Sequence, residues 1–205
     1  MLKHYLKTTF KYLREYKVFS AINLAGFATA LSVVYFALLF VKFELSYDKF
    51  NSNADRIYRI STDVKTPSGI NYETSSASLA EAIQASFPEV QTATRIFLDY
   101  YIVQKDENNF GEETLAYADS SIFSVFSFPL IKGTAATVFV APYTMVLSET
   151  AAKKYFGTAD CLGKTLTLDG KITATVTGVM KDIPQNSHFK TDILLSMSSL
   201  IQPGT

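Results

Sequence analysis

Cysteine is nearly absent from this 205-residue chain: Cys161 stands alone, so no disulfide within the chain is available and the fold does not depend on oxidation. A lone cysteine of this kind reads as a small core or loop residue rather than a nucleophile. Histidine is as scarce, with only His4 and His188. No grouping of Cys and His has zinc spacing and no Asp-rich loop has calcium spacing. Ser187-His188 lies near Asp182 and Asp192, but a Ser-His-Asp triad is defined by geometry, and such neighbours are a frequent accident of sequence. The stretch from Gly157 through Gly163-Lys164-Thr165 looks like a phosphate loop at a glance. It has five residues between its first glycine and Gly-Lys where the loop needs four, and a hairpin follows where a helix should present its N-terminus to the anion. No catalytic, cofactor-binding or metal-ligating residue is expected, no cofactor is implied, and no enzymatic activity is expected. Internal repeats are missing too.

Net charge is also lacking: 19 Lys and Arg balance 19 Asp and Glu. The balance hides an asymmetry. Lys3, Lys7, Lys11, Arg14 and Lys17 stand against Glu15 alone in residues 1–17, a net of 5 − 1 = +4. From Lys42 onward 14 basic residues meet 18 acidic ones, a net of −4. A mildly acidic main domain excludes nucleic acid as a partner, since that needs a basic surface.

What the chain does have is one long apolar run. Val18 to Val41 is 24 residues without a charge, between Lys17 and Lys42. At about 1.5 Å per residue it reaches roughly 36 Å, against about 30 Å for a hydrocarbon core. Thirteen of the 24 are Leu, Ile, Val or Phe. They contribute about −4 to −8 kcal/mol on the insertion scale, before Asn23, Gly26 and the hydroxyl residues are subtracted. A cleaved signal peptide is the other reading, with Ala28-Thr29-Ala30 as its processing site, but cleavage there would leave the apolar Leu31–Val41 at the new N-terminus. The run therefore predicts a transmembrane helix over 18–41. The positive arm before it predicts a cytoplasmic N-terminus and an extracytoplasmic main domain.

In the arm, Leu2, Tyr5, Leu6, Phe10 and Leu13 recur at helical spacing with the basic residues largely off the stripe. This predicts an amphipathic helix on the inner leaflet, in contact with membrane lipid, or one docking a cytoplasmic partner. Gly26 and Ala30, with Asn23 and Ala37, form a small-residue face suited to packing against another helix.

The remainder reads as α+β, in the order β-α-β-β-α-β-β-β. Strands are predicted over Arg56–Asp63, Val90–Val103, Thr114–Ala118, Thr144–Leu147, Lys164–Leu168, Ile172–Val179 and Asp192–Met197. Turns are predicted at Thr66–Gly69 and Asp106–Asn109. One helix follows Ser78, with Glu81 at capping-box spacing and Pro88 as its stop. Ser120–Phe128 reads as a short helix, and Ser148 caps another that ends at Gly157. Asp169-Gly170 between alternating segments is the strongest short-range hairpin signal in the chain.

Several of these segments together resemble the periplasmic core domain of MacB/FtsX-type ABC transporter permeases. The resemblance begins at Tyr47-Asp48-Lys49-Phe50 and Ala54–Ile60, and continues at Phe126-Ser127-Phe128-Pro129-Leu130 with Gly133. It runs on through Leu147-Ser148-Glu149, Ala152-Lys153, Tyr155-Phe156-Gly157, Leu162-Gly163-Lys164 and Val176-Thr177-Gly178-Val179. It ends on Asp182-Ile183-Pro184, Asn186-Ser187-His188-Phe189 and Asp192-Ile193-Leu194. It implies a non-catalytic permease subunit of the bacterial inner membrane: a cytoplasmic arm over 1–17, a transmembrane helix over 18–41 and a periplasmic core domain over 42–205. It further implies a β-rich inserted subdomain holding Lys164–Val179, with Asp192–Met197 on the return. The implied partners are a cytoplasmic ABC ATPase subunit, a second permease as homodimer or pair, and a periplasmic component. The ATPase would drive movement of the outer domain, for export or mechanical transmission, and is expected to touch Leu2–Leu13. Family members carry three further helices and the last part of the outer domain, so a chain ending at Thr205 is expected to be C-terminally incomplete, a fragment or a truncated product. The shared positions look architectural: Gly163, Gly178 and Pro184 fit turns, and Arg56, Arg59 and Asp182 are expected to pair across the fold.

Two other classes share the layout of one helix and an extracytoplasmic domain. A sensor would hold a small-molecule pocket in that domain and a signalling module beyond it. A membrane-tethered binding protein would need neither.

Overall fold

A computed structural model describes residues 1–65, 71–106 and 108–200 of the chain. The turn expected at Thr66–Gly69 lies outside the described residues, as does Glu107 of the turn expected at Asp106–Asn109. The chain divides into two compact units, Met1–Tyr47 and Asp48–Thr205.

In the first unit, α1 (Leu2–Glu15) and α2 (Lys17–Glu44) meet at Tyr16, whose φ of −106° and ψ of 58° interrupt the helical ladder. The ring of Tyr16 stacks on Tyr12 at 5.8 Å. The expected apolar run forms α2 and is extended at both ends to 28 residues, about 42 Å of helix. This helix is long and apolar enough to cross a membrane. Two of its hydroxyls are satisfied internally, Thr29 Oγ1 donating to the Ala25 carbonyl (2.9 Å) and Ser32 Oγ to that of Ala28 (2.8 Å). Such back-bonding removes the cost of a bare hydroxyl in hydrocarbon.

The second unit is a mixed α/β domain. Its elements are β1 (Thr62–Lys65), β2 (Asn71–Thr74), α3 (Leu79–Ser86), β3 (Ile96–Lys105), β4 (Asn108–Ala118), α4 (Ile122–Val125), β5 (Leu130–Lys132), β6 (Thr144–Ser148), α5 (Glu149–Phe156), β7 (Thr165–Leu168), β8 (Ile172–Met180) and β9 (Ile193–Ser196). β1 and β2 form an antiparallel pair of their own. The other strands run β5-β8-β6-β9-β4-β3-β7, and β7 pairs a second time, with β8. The sheet therefore closes: β3, β4, β9, β6, β8 and β7 make a ring, with β5 attached beside β8. The β4–β9 and β6–β8 pairs are parallel and the others antiparallel.

Alternation along the strands sorts the core into an inside and an outside. Val103, Leu115, Tyr117, Met145, Leu147, Leu166, Leu168, Ala174, Val176, Ile193 and Leu195 come from all of the ring strands and fill its interior. Ala151, Ala152 and Tyr155 of α5 join that cluster. The intervening residues Ala116, Ala118, Val146 and Leu194 face outward, where Ile122, Phe128, Val138 and Phe139 cover them. The alternation slips once in β8, where both Val176 and Val179 enter the interior. Met145 pairs with Val176 and Val146 with Gly178, so Thr177 is an extra, bulged residue. Its hydroxyl donates to the carbonyls of Val138 and Met145.

Local signals hold where both partners are near in sequence. Ser148 Oγ accepts from the Ala151 N–H (3.0 Å), and Gly157 ends α5 with φ of 73°. Asp169 and Gly170 both take left-handed conformations, φ 51° and 67°, and turn β7 into β8. Other boundaries differ. The strand expected at Arg56–Asp63 starts only at Thr62. Ala54–Arg56 is a short 3-10 turn in which Arg56 donates to Asn53 Oδ1 (2.9 Å), and the β1–β2 ladder begins at Thr62↔Thr74. The strand expected from Val90 begins at Ile96, because its partner β4 ends at Ala118. Just beyond, Asp119 grips Arg95, accepting from Nε at 2.9 Å and Nη2 at 2.8 Å. The capping box does not form: Ser78 makes no side-chain cap and its hydroxyl meets that of Ser76 (3.0 Å), while Glu81 lies 3.6 Å from Arg95. The short helix after Ser120 covers only Ile122–Val125, and β5 is unanticipated.

Candidate functional site

Asp48 is the first residue of the folded domain. It sits in the left-handed region, φ 56°, which turns its carboxylate and its N–H toward one loop. The N–H donates to the Asn186 carbonyl (2.9 Å). The carboxylate accepts from Ser187 Oγ and from the His188 N–H, both at 3.1 Å, and its other oxygen lies 2.6 Å from His188 Nδ1. Burial alone would raise the pKa of Asp48, but the bonds from His188 and Ser187 outweigh it and hold the carboxyl below its usual range. The loop is itself a turn, Ser187 N–H donating to the Pro184 carbonyl (3.1 Å).

Asn51 continues the anchorage from the same short segment. It is buried, its amide nitrogen donating to the Asp48 carbonyl (3.1 Å) and its oxygen accepting from the Ser127 N–H (2.9 Å). The Ser52 N–H donates to Ser127 Oγ (2.9 Å). Between these polar ties lies an aromatic stack: Phe50 on Phe128 at 6.3 Å, Phe126 on Phe128 at 5.4 Å, and Phe189 against both, at 6.2 and 6.0 Å. Three segments far apart in sequence, 48–52, 126–128 and 186–189, are thus tied into one knot on the outer face of the ring. What such a knot does is mechanical. It fastens the start of the domain to two loops and, through Phe128, to the outer core.

His188 meets Asp48, not Asp182 or Asp192. Asp182 instead accepts from the N–H and hydroxyl of Thr150 (2.9 and 2.7 Å), and Asp192 accepts from Ser148 Oγ (2.7 Å). Both carboxylates therefore serve the first turn of α5, where an anion suits the helix end. The expected pairing of Arg56 with Asp182 gives way to Arg56–Asn53. Gly178 is not a turn residue. It lies within β8, and a Cβ there would fall 2.6 Å from Val138 Cγ1. Gly163 does make a turn, its N–H bonded to the Val176 carbonyl (2.8 Å). In the phosphate-loop lookalike the backbone bonds to protein, Lys164 N–H reaching the Cys161 carbonyl (3.1 Å), and the Lys164 ammonium lies over the Phe156 ring. Cys161 is buried, and that burial pushes its thiol up. No sequence motif marks Asp48, Asn51 or Ser127 for these roles, although Asp48 and Ser127 lie within segments that carry the family resemblance.

The fold and the knot define a class: an α/β domain secured at its first residues and preceded in the chain by a helix able to cross a membrane. The chain belongs to the MacB-like periplasmic core domain family, which it matches over residues 20–204. Among solved structures, a domain of a protein assigned as a permease from Porphyromonas gingivalis is 29% identical with a TM-score of 0.56, over 63% of this chain and 55% of that one. The periplasmic region of MacB from Actinobacillus actinomycetemcomitans is 21% identical with a TM-score of 0.50, over 73% of this chain and 62% of that one, and shows the fold alone. The chain thus spans little more than half the length of the structures it resembles. No curated protein matches the chain.

Proposed function

We propose that this chain belongs to the permease subunit of an ABC transporter. In this reading α2 spans the bacterial inner membrane, the arm over 1–17 is cytoplasmic and residues 42–205 form the periplasmic domain. The subunit is non-catalytic, and a separate cytoplasmic ATPase supplies the work. Its two permease copies pass ATPase-driven movement outward, for export or mechanical transmission to a periplasmic partner. The observation that carries the reading is the knot at Asp48. Force delivered by a membrane helix is useful only if the chain leaving it is fastened at once, and here the fastening begins at the domain's first residue through Asp48, Asn51 and Phe50.

A sensor needs a ligand cavity. The ring interior is instead filled by side chains such as Leu115, Tyr117 and Leu195, each at most 1% exposed.

The test is made on the gene's full-length product in its own membranes. Cysteine placed at exposed Val140 should react with a membrane-impermeant maleimide in intact cells, while one at Lys7 should react only after lysis. An ATP-hydrolysing subunit should co-purify and be lost when Phe10 and Leu13 are replaced by Asp. A protein that labels with the opposite sidedness, or that carries a kinase or cyclase module in place of an ATPase partner, overturns the reading.

A further inference from the structure

The knot at Asp48 contains one group of a kind that changes charge close to neutral pH. Imidazole titrates near pH 6.5, alone among unperturbed side chains. The chain has two histidines, and His188 is the one in the folded domain. Its Nδ1 lies 2.6 Å from Asp48 Oδ2, and its side chain is 75% exposed, so the ring exchanges protons directly with the medium. The Asp48 carboxyl, held below its usual range by its bonds, stays ionised through that interval.

The other bonds that Asp48 makes to the loop come from donors that keep their protons near neutral pH: Ser187 Oγ, the His188 N–H and its own N–H. The neighbouring charges are steady as well. Segment 48–52 adds Lys49 and the loop is followed by Lys190, both exposed, and lysine ordinarily titrates well above this interval. Segment 126–128 carries no charge. Asp182 and Asp192, on either side of the loop, are engaged by Thr150 and Ser148. The contact that changes with pH is therefore that of His188 with Asp48. A neutral ring offers Asp48 an ordinary N–H donor. An imidazolium offers the same donor with a full positive charge, and charge-assisted bonds are about twice as strong. The closed knot also holds Asp48 in the left-handed region, φ 56°, which costs an L residue energy. The closed state must be sustained by its bonds.

We propose that the knot is a proton-operated clasp: protonation of His188 fastens the first residues of the domain to the 186–189 loop, and deprotonation loosens them. Protonation adds an ion pair to the closed state, so the closed fraction rises as pH falls through the imidazole range. It falls again only in stronger acid, where Asp48 itself takes up a proton. The pair is exposed to solvent, so the response is a local opening and does not extend to the ring interior. The clasp concerns the knot alone and holds whether or not the chain serves a permease.

Hydrogen exchange tests it in the full chain, held in lipid nanodiscs, at about pH 5.5 and about pH 8, on either side of the imidazole range. Each amide is referred to its unstructured rate at the same pH. The amides of Asp48, Ser187 and His188 should be about two- to five-fold better protected at the lower pH, while Leu195 in the ring should not respond. His188→Asn keeps a neutral amide donor near the position of Nδ1 and should make the protection of Asp48 and Ser187 independent of pH. Asp48→Asn, which keeps the imidazole and removes the carboxylate, should abolish the response at Ser187 and His188. His4→Gln should retain the full response. Equal protection of the parent at both pH values overturns the proposal. So does better protection at the higher pH, or a response that survives in His188→Asn or in Asp48→Asn. The measurement reads no transport, so its failure is distinct from failure of the permease reading.

Discussion

The two sides of the closed sheet are built differently. The interior is aliphatic and supplied by strands, with Leu115, Met145, Leu147, Leu166 and Leu195 packed against α5. The exterior is aromatic and supplied by loops, with Phe50, Phe126, Phe128, Phe139 and Phe189, and it carries the polar knot. The interior residues are held by ladder hydrogen bonds around a ring, so each is fixed by its neighbours on both sides. The exterior depends on segments that meet only after the ring exists. One side makes the domain stable; the other decides how its first residues are attached. Stability and attachment should therefore respond to different substitutions.

The sharpest break is in the interior. Leu195→Ala removes a fully buried side chain and should cost about 2–5 kcal/mol of unfolding free energy in a denaturant titration. Gly178→Ala strikes the seam between the two sides. Its Cβ would meet Val138 Cγ1 at 2.6 Å and the Lys132 carbonyl at 3.2 Å, and overpacking of this kind should cost about 1–3 kcal/mol. Ser148→Ala removes the α5 cap and leaves Asp192 without its hydroxyl donor. A loss of about 1 kcal/mol is expected in the same titration.

Acid sharpens the comparison further. Burial tends to raise the Asp119 carboxyl, but the Arg95 hydrogen bonds prevail and hold it below its ordinary 3.8, and the same sign holds for Asp48 and Asp182. A carboxyl depressed by folding contributes stability that is present above its unfolded value and is lost as pH falls through its folded one. Unfolding free energy should accordingly be flat above about pH 5 and decline below about pH 4. Asp119→Asn should lower the plateau and flatten that decline. The smallest effect on stability belongs to the exterior knot. Asp48→Ala removes a partly exposed set of bonds and should change the unfolding free energy by less than about 1 kcal/mol. It should nonetheless speed amide exchange at Ser187 and His188 and leave Leu195 unchanged. Equal acceleration at both places would mean that attachment and core are one cooperative unit.

Much of the domain was legible locally. The α5 helix between Ser148 and Gly157, the hairpin at Asp169-Gly170 and the apolar run of α2 each depend on residues within a few positions of one another. Boundaries failed where a distant partner set them. Ile96 begins β3 because Ala118 ends β4, and Ser78 leaves its cap unused while Glu81 lies near Arg95.

The chain's own residues thus determined an apolar helix of membrane length, the caps and turns of the hairpins, and through shared segments the family. Those features arise from backbone propensity, hydrophobic period and turn chemistry, which act over one or two turns of chain. Only the tertiary structure decided that β7 joins β3 to close the ring, that Thr177 bulges, and that His188 finds Asp48 across 140 residues. Such pairings are selected by which long loops close with all their buried groups satisfied, and no local pattern specifies that choice.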